Sequence, residues 1–484
     1  MLRNFFIIFI LIVHLNIYAQ KENTPNFIII FCDDLGYGDL GVFGNPIIKT
    51  PNLDRMAYEG QKWTQFYVAD PVCTPSRAAL LTGRYPIRSG MTSSELPVFF
   101  PFSSKGMKSE EITIAEILKE KKYKTAAVGK WHLGHLPEFL PQEQGFDSYY
   151  GIPYSNDMDS KNQSPQHFSD NSDVESMRVY FQKTRGDENY EPVKEVFQVP
   201  LIENKKVIER PADQKTITKR YTQKAVEFIN KNKNKPFFLY LAHSMPHIPL
   251  YASDEFLGSS SGGLYSDVIE EIDWSVGQLL NALKENNLDK NTVVLFSSDN
   301  GPWLRFEKHG GSAGPLRAGK GTTFEGGQRV PTIFWGPSIV KPGVIHEMGS
   351  TLDIINTFSS MAGLDVPTDR KMDGYDLSKV LTDLDSSPRD NFYYWGFAEL
   401  HAVRKNNLKL HIKQRQPVNY GRSTINLDSP ELYDLSTDFS EKYDISAKNQ
   451  EVVIDMLKSL ENHLKDVQGS TPDQLKYRIK DYGK

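Results

Sequence analysis

Cysteine is scarce here: 484 residues contain two, Cys32 and Cys73. That excludes a scaffold built on disulfides, which in exported proteins needs dense cysteine. Long apolar runs are missing beyond the first few residues, so no membrane helix is expected in the body of the chain. Charge of one sign is missing too. Lys and Arg number 56 against 61 Asp and Glu, a net charge of −5. Such a balance offers no field for nucleic acid or for an anionic membrane. An anionic substrate must therefore meet a local basic cluster. No internal repeat is visible. What is there, 39% hydrophobic and 24% charged residues, describes an ordinary globular protein. The length suits one large domain and a smaller one.

The apolar run that does occur lies at the start. Residues 1–19 have a basic beginning, a stretch of Phe, Ile and Leu, and end at Ala19. They read as a secretory signal peptide cut after Ala19. His14 and Asn16 argue against a permanent span, and no cysteine follows that could carry a lipid. The mature protein is expected to be periplasmic or secreted, without a stable membrane anchor.

Residues Asn26 to Cys32 form an unbroken apolar run, the mark of a central strand covered on both faces. Asp33 and Asp34 follow at once, and two carboxylates there call for a cation as hard oxygen ligands. Trp63 to Tyr67 is a second strand. In Cys73-Thr74-Pro75-Ser76-Arg77, Pro75 sets the helix start at Ser76 and leaves Cys73 at a helix N-terminus, where an anion is favoured. A strand ending at Val128 leads to Lys130 and His132. The turn-rich loop 149–157 carries Ser155. Residues 158–214 read as an inserted region with strands at Val196–Pro200 and Lys206–Ile208. A strand over Pro236–Ala242 leads to His247, set between prolines. Another, over Thr292–Ser297, leads to Asp299 and Asn300. His309 and the glycine-bounded Lys320 come next. Gly314 to Thr323 nearly spells a P-loop, but Gly321 stands where Ser or Thr must follow the lysine, which rejects nucleotide binding.

Near residue 375 the βα rhythm stops. Short alternating segments after Asn391 and a helix from Val452 to Leu464 suggest a small antiparallel sheet with one helix. The expected organisation is a catalytic unit over 20–375 and a C-terminal subdomain over 376–484. In open α/β sheets ligands bind beyond the carboxyl ends of strands. Asp33, Asp34, Asp299 and Asn300 make an all-oxygen set, which favours one hard ion over a zinc pair.

Cys73-Thr74-Pro75-Ser76-Arg77 with Leu81-Thr82-Gly83-Arg84 resembles the signature of the type I sulfatases, members of the alkaline phosphatase superfamily. Tyr123 to Gly134, Gly151 to Ser155 and Gly319 to Gly327 are similar to further motifs of that family, and the arylsulfatase A and N-acetylgalactosamine-6-sulfatase branch is the nearest. Lys122 departs from the glycine common there and touches only a turn. The resemblance implies an alkaline-phosphatase-like large mixed sheet flanked by helices. It implies that a maturation enzyme oxidises Cys73 to formylglycine, so Cys73 stays out of any disulfide; the residues alone leave pairing with Cys32 open. It further implies one Ca²⁺ held by Asp33, Asp34, Asp299, Asn300 and residue 73. Arg77, Lys130 and Lys320 would hold the nucleophile and the sulfate. His247 would protonate the leaving alcohol, and His132 would take the proton that expels sulfate. Ser155 and His309 would line the substrate side. The expected substrate is a sulfated sugar, with aryl sulfates as artificial ones. The alternatives are a phosphate or phosphonate ester hydrolase of the same superfamily and an inactive homologue that binds sulfated glycans.

Overall fold

The computed structural model describes residues 24–160, 197–415 and 424–480. The expected leader and the middle of the expected insertion, Val196 included, lie outside them.

Ten strands form one mixed sheet in the order β10-β2-β9-β8-β1-β7-β3-β4-β5-β6. At its centre β8 (Thr292–Ser298), β1 (Asn26–Cys32), β7 (Phe237–Ala242), β3 (Lys124–Gly129) and β4 (Ser148–Gly151) run parallel. β9 (Thr332–Trp335) lies antiparallel to β8, and β2 (Gln61–Tyr67) is antiparallel to β9, so β2 points the same way as the central strands.

The apolar run of β1 is buried on both faces. Ile28, Ile30 and Cys32 enter one core with the helices Ile217–Asn232 and Leu264–Glu285. Phe27, Ile29 and Phe31 enter the other with the helix Ile354–Met361. That alternation is the period-two geometry of a strand sandwiched between helix layers. A second sheet, β11 (Asn391–Gly396), β12 (Glu399–Lys405), β13 (Leu408–Arg415) and β14 (Thr424–Asp434), is antiparallel, and the helix Gln450–Asp466 packs on it.

Three local expectations need correction. The helix after the Cys73 loop begins at Cys73, not at Ser76, and runs to Thr82. Pro75 is its third residue, where a backbone N–H would have no intrahelical acceptor anyway, so proline breaks nothing. The strand expected at Val196–Pro200 falls at β5 (Leu201–Glu203), paired with β6 (Lys206–Glu209). The edge strand β10 (Gly343–Ser350) was not expected: His346 and Glu347 interrupt its apolar face because they are exposed.

Candidate active site

Six strands end at one edge of the sheet, and each feeds a polar residue into the same place. Asp33 and Asp34 follow β1, Cys73 follows β2, Lys130 follows β3, Ser155 follows β4, His247 follows β7, and Asp299 with Asn300 follows β8. Backbone contacts fix the loops. Lys130 N–H donates to the Ala242 carbonyl at 2.8 Å, and Asp299 N–H donates to Cys32 at 3.1 Å. Gly129 allows the first approach, since a Cβ there would sit 1.8 Å from the Ala242 oxygen. Asp34 and His132 hold left-handed backbone (φ 66° and 59°), a strain that clusters at functional positions.

Asp33 binds three partners. Its Oδ2 accepts from Lys130 Nζ at 2.5 Å, its Oδ1 accepts from Cys73 Sγ at 3.3 Å, and Arg77 Nη2 lies 3.6 Å away. Lys130 Nζ also donates to Ser155 Oγ at 2.6 Å. Arg77 grips Asp299 Oδ2 with Nε and Nη2 at 2.9 and 2.7 Å, and its Nη1 reaches the Lys130 carbonyl at 3.2 Å. Lys320 Nζ spans the Asp34 carboxylate at 2.6 and 2.8 Å and lies 4.4 Å from the centre of the Trp303 ring. His247 Nε2 stands 3.7 Å from Asp34, while its Nδ1 bonds the Ile248 carbonyl at 2.6 Å. His132 Nε2 lies 2.9 Å from the Phe99 carbonyl, and its Nδ1 is buried without a partner.

All these charged groups are buried. Burial pushes Asp34 up to about 7, with Lys320 pulling down and Asp33 and Asp299 pushing up. Burial also raises Asp33, but Lys130, Arg77 and Lys320 outweigh it and hold that carboxyl below its ordinary range. The Cys73 thiol is pushed well up, by burial first and then by Asp299 and Asp33. Burial drives His132 and His247 well down, helped by the lysines.

Three carboxylates thus face three cations beside two neutral imidazoles. Such a site is balanced without a ligand, and binding an anion calls for further positive charge. The donors fit a metal ion. Ligand atoms of Asp33, Asp34, Cys73 and His247 lie within 4.8 Å of one another. Asp299 and Asn300 adjoin this group: Asp34 N–H donates to Asp299 Oδ1 at 3.2 Å, and Asn300 Nδ2 donates to Asp34 at 2.7 Å. Asn300 Oδ1 is buried with no partner, as expected of an oxygen that awaits a cation. Both cysteines are free.

His309 ends the short helix Leu304–His309 in the loop that carries Trp303. His243 sits in the core near Ser275 Oγ, at 3.3 Å. The sequence reading missed three supports. Trp303, a ring beneath Lys320 and 5.4 Å from the His247 ring, gave no pattern. Asp157 is buried beside the site, and only its place two residues past Ser155 could have marked it. Glu325 accepts hydrogen bonds from Tyr67 and Tyr394 and pairs with Lys409. Lys409 also donates to the Thr323 carbonyl at 2.9 Å, so the small sheet braces the loop that carries Lys320.

A family model described as Sulfatase matches residues 25–364, and one described as the C-terminal region of aryl-sulfatase matches residues 387–481. The chain is 41% identical to the N-acetylgalactosamine-6-sulfatase of Mus musculus over 404 residues, which covers 81% of this chain and 73% of that one. It is 38% identical to human (Homo sapiens) arylsulfatase A over 440 residues, covering 87% and 83%. Among solved structures, a sulfatase from Pseudoalteromonas sp. superposes with a TM-score of 0.78 at 28% identity, over 94% of this chain and 93% of that one. Ps i-CgsB in complex with k-i-k-neocarrahexaose superposes with a TM-score of 0.75 at 31% identity, over 95% of both chains.

Proposed function

The chain belongs to the sulfatase family and is a sulfuric ester hydrolase, and from that premise we propose that it removes sulfate from a sulfated carbohydrate, using a formylglycine made from Cys73 and one Ca²⁺. One observation carries the reading: Cys73 is buried beside Asp33 and Asp299, and burial first, then these carboxylates, push its thiol well up against the pull of Lys130 and Lys320. A protonated thiol is a poor nucleophile, so this position makes sense as a precursor rather than as a working cysteine.

Asp33, Asp34, Asp299 and Asn300, with residue 73, would hold Ca²⁺; bound there, the ion supplies positive charge for a sulfate oxygen and lowers the pKa of a neighbouring hydroxyl. Oxidised and hydrated, residue 73 supplies an oxygen nucleophile with a second hydroxyl through which sulfate can later depart.

The chain's own groups do the rest. Arg77 and Lys130 orient residue 73 and neutralise charge beside it. Lys320, steadied on Trp303, faces the charge that develops on sulfate and on the leaving oxygen. His247 gives a proton to the leaving alcohol; the anionic ester brings the charge that offsets the two lysines and lets the ring hold that proton. His132 has its bare Nδ1 in the site and takes the proton that frees sulfate. Ser155 and His309 bound the substrate side. The maturation enzyme and export through a cleaved leader belong to the same proposal. No helix among the described residues is long and apolar enough to cross a membrane.

Rates on a sulfate and a phosphate ester of one phenol test the reading. Sulfate release should dominate in protein produced with a maturation enzyme. Faster phosphate release would reassign the chain within its superfamily, and release of neither would support an inactive glycan-binding homologue.

A further inference from the structure

Asp157 takes no part in the chemistry above. It lies in the turn that carries Ser155, closed by Met158 N–H on the Ser155 carbonyl at 3.2 Å. Asn156 ties that turn to the histidine loop by donating to the carbonyls of His247 (3.4 Å) and Pro249 (2.9 Å). These contacts fix the backbone on either side of Asp157.

Asp157 is 8% exposed, yet its Oδ1 has no hydrogen-bond partner. The charges that bear on it are those of Lys320, then Lys130, then Asp33. Neither lysine satisfies it: Lys130 is bonded to Asp33 and Ser155, and Lys320 to Asp34. It stands outside the group of metal-competent atoms, which takes in Asp33, Asp34, Cys73 and His247. A buried carboxylate oxygen without a donor is costly, and folded proteins seldom leave one unexplained.

An ionised carboxylate can only accept hydrogen bonds. It would repel sulfate, so a substrate group that meets it belongs to the part of the ester that is not sulfate. Sugars offer hydroxyl donors there, and a simple phenol ring offers none.

We propose that Asp157 is a specificity-determining residue whose carboxylate accepts hydrogen bonds from hydroxyl groups of the sugar bearing the ester. The inference rests on the sulfatase reading and adds the element that selects a polyhydroxylated leaving group. Asn156 acts on it as a positioning residue.

Asp157→Asn, near in shape, and Asp157→Ala test this in protein produced with a maturation enzyme. The substrates are 4-nitrophenyl sulfate and whichever member of a panel of monosulfated hexoses and N-acetylhexosamines the wild type cleaves fastest. The ratio of kcat/KM for the sugar ester to kcat/KM for the aryl ester should fall about 10- to 100-fold in both variants, the range of a hydrogen bond to a charged acceptor. An unchanged ratio overturns the proposal, whether both rates hold or both fall together. A wild type that cleaves the aryl ester but no sugar overturns it too, while the sulfatase reading stands. A wild type that releases no sulfate from any ester removes that reading and this proposal with it.

Discussion

Cys73 is buried in the middle of a charged cluster, and we expect its place to suit an oxygen better than a sulfur. Burial, then Asp299 and Asp33, raise the thiol, while Arg77 and Lys130 lie close by, bonded to Asp299 and Asp33. Cys73→Ala should therefore abolish turnover with little change in the melting temperature, since it removes one small side chain; an activity assay beside a thermal melt checks both halves. For the two histidines we expect different signatures. His247→Ala should lower kcat by about 10²- to 10⁴-fold, and more for a sugar ester than for 4-nitrophenyl sulfate, because an acidic phenol leaves without help. His132→Ala should slow both esters alike. Steady-state rates on the two substrates decide this. The sequence made these residues legible because each stands just past a strand end or inside a dense motif. Asp157 and Trp303 stayed hidden because their roles come from neighbours far along the chain.

Among the elements, the loop carrying Lys320 shows most clearly what spacing cannot tell. Its glycines nearly spell a P-loop, yet the loop is braced through Glu325, on which Tyr67 of β2, Tyr394 of β11 and Lys409 of β13 converge. Burial alone would raise Glu325, but Lys409, Arg329 and Arg404 hold its carboxyl at about 2. A folded value below the ordinary 4.5 stabilises the fold above that pH, and the contribution is lost as pH falls towards 2. Glu325→Gln should cost about 3–5 kcal/mol at neutral pH, as expected when one partner of a buried ion pair is removed. The gap in melting temperature between wild type and variant should narrow between pH 7 and pH 3. A gap that persists at low pH would assign Glu325 no such role. Nothing in a window of neighbouring residues announces this brace, because its partners lie 258, 69 and 84 positions away.

At the scale of the molecule, the parallel order β8-β1-β7-β3-β4 gathers the site at one edge, and the apolar runs with polar residues at their ends were enough to anticipate that gathering. The edge strand β10 and the start of the Cys73 helix were not, since exposure and first-turn tolerance of proline both blur local patterns. If the balanced cluster is completed by Ca²⁺, the ion must stabilise the whole fold by mass action. Calcium at about 100 times its Kd should add roughly 2.7 kcal/mol, seen as a rise in melting temperature over protein stripped with a chelator. Asn300→Ala should reduce the rise and Asp34→Asn should reduce it further. Magnesium should give a smaller shift, because it demands a strict octahedron and gives up its waters reluctantly.

Residue 73 is proposed to work as an oxygen nucleophile made from a cysteine. Mass spectrometry of the peptide holding residue 73, from protein produced with a maturation enzyme, tests it most directly. The aldehyde should stand in place of the thiol, in proportion to the activity of each preparation. An active preparation whose residue 73 is unmodified cysteine would contradict it.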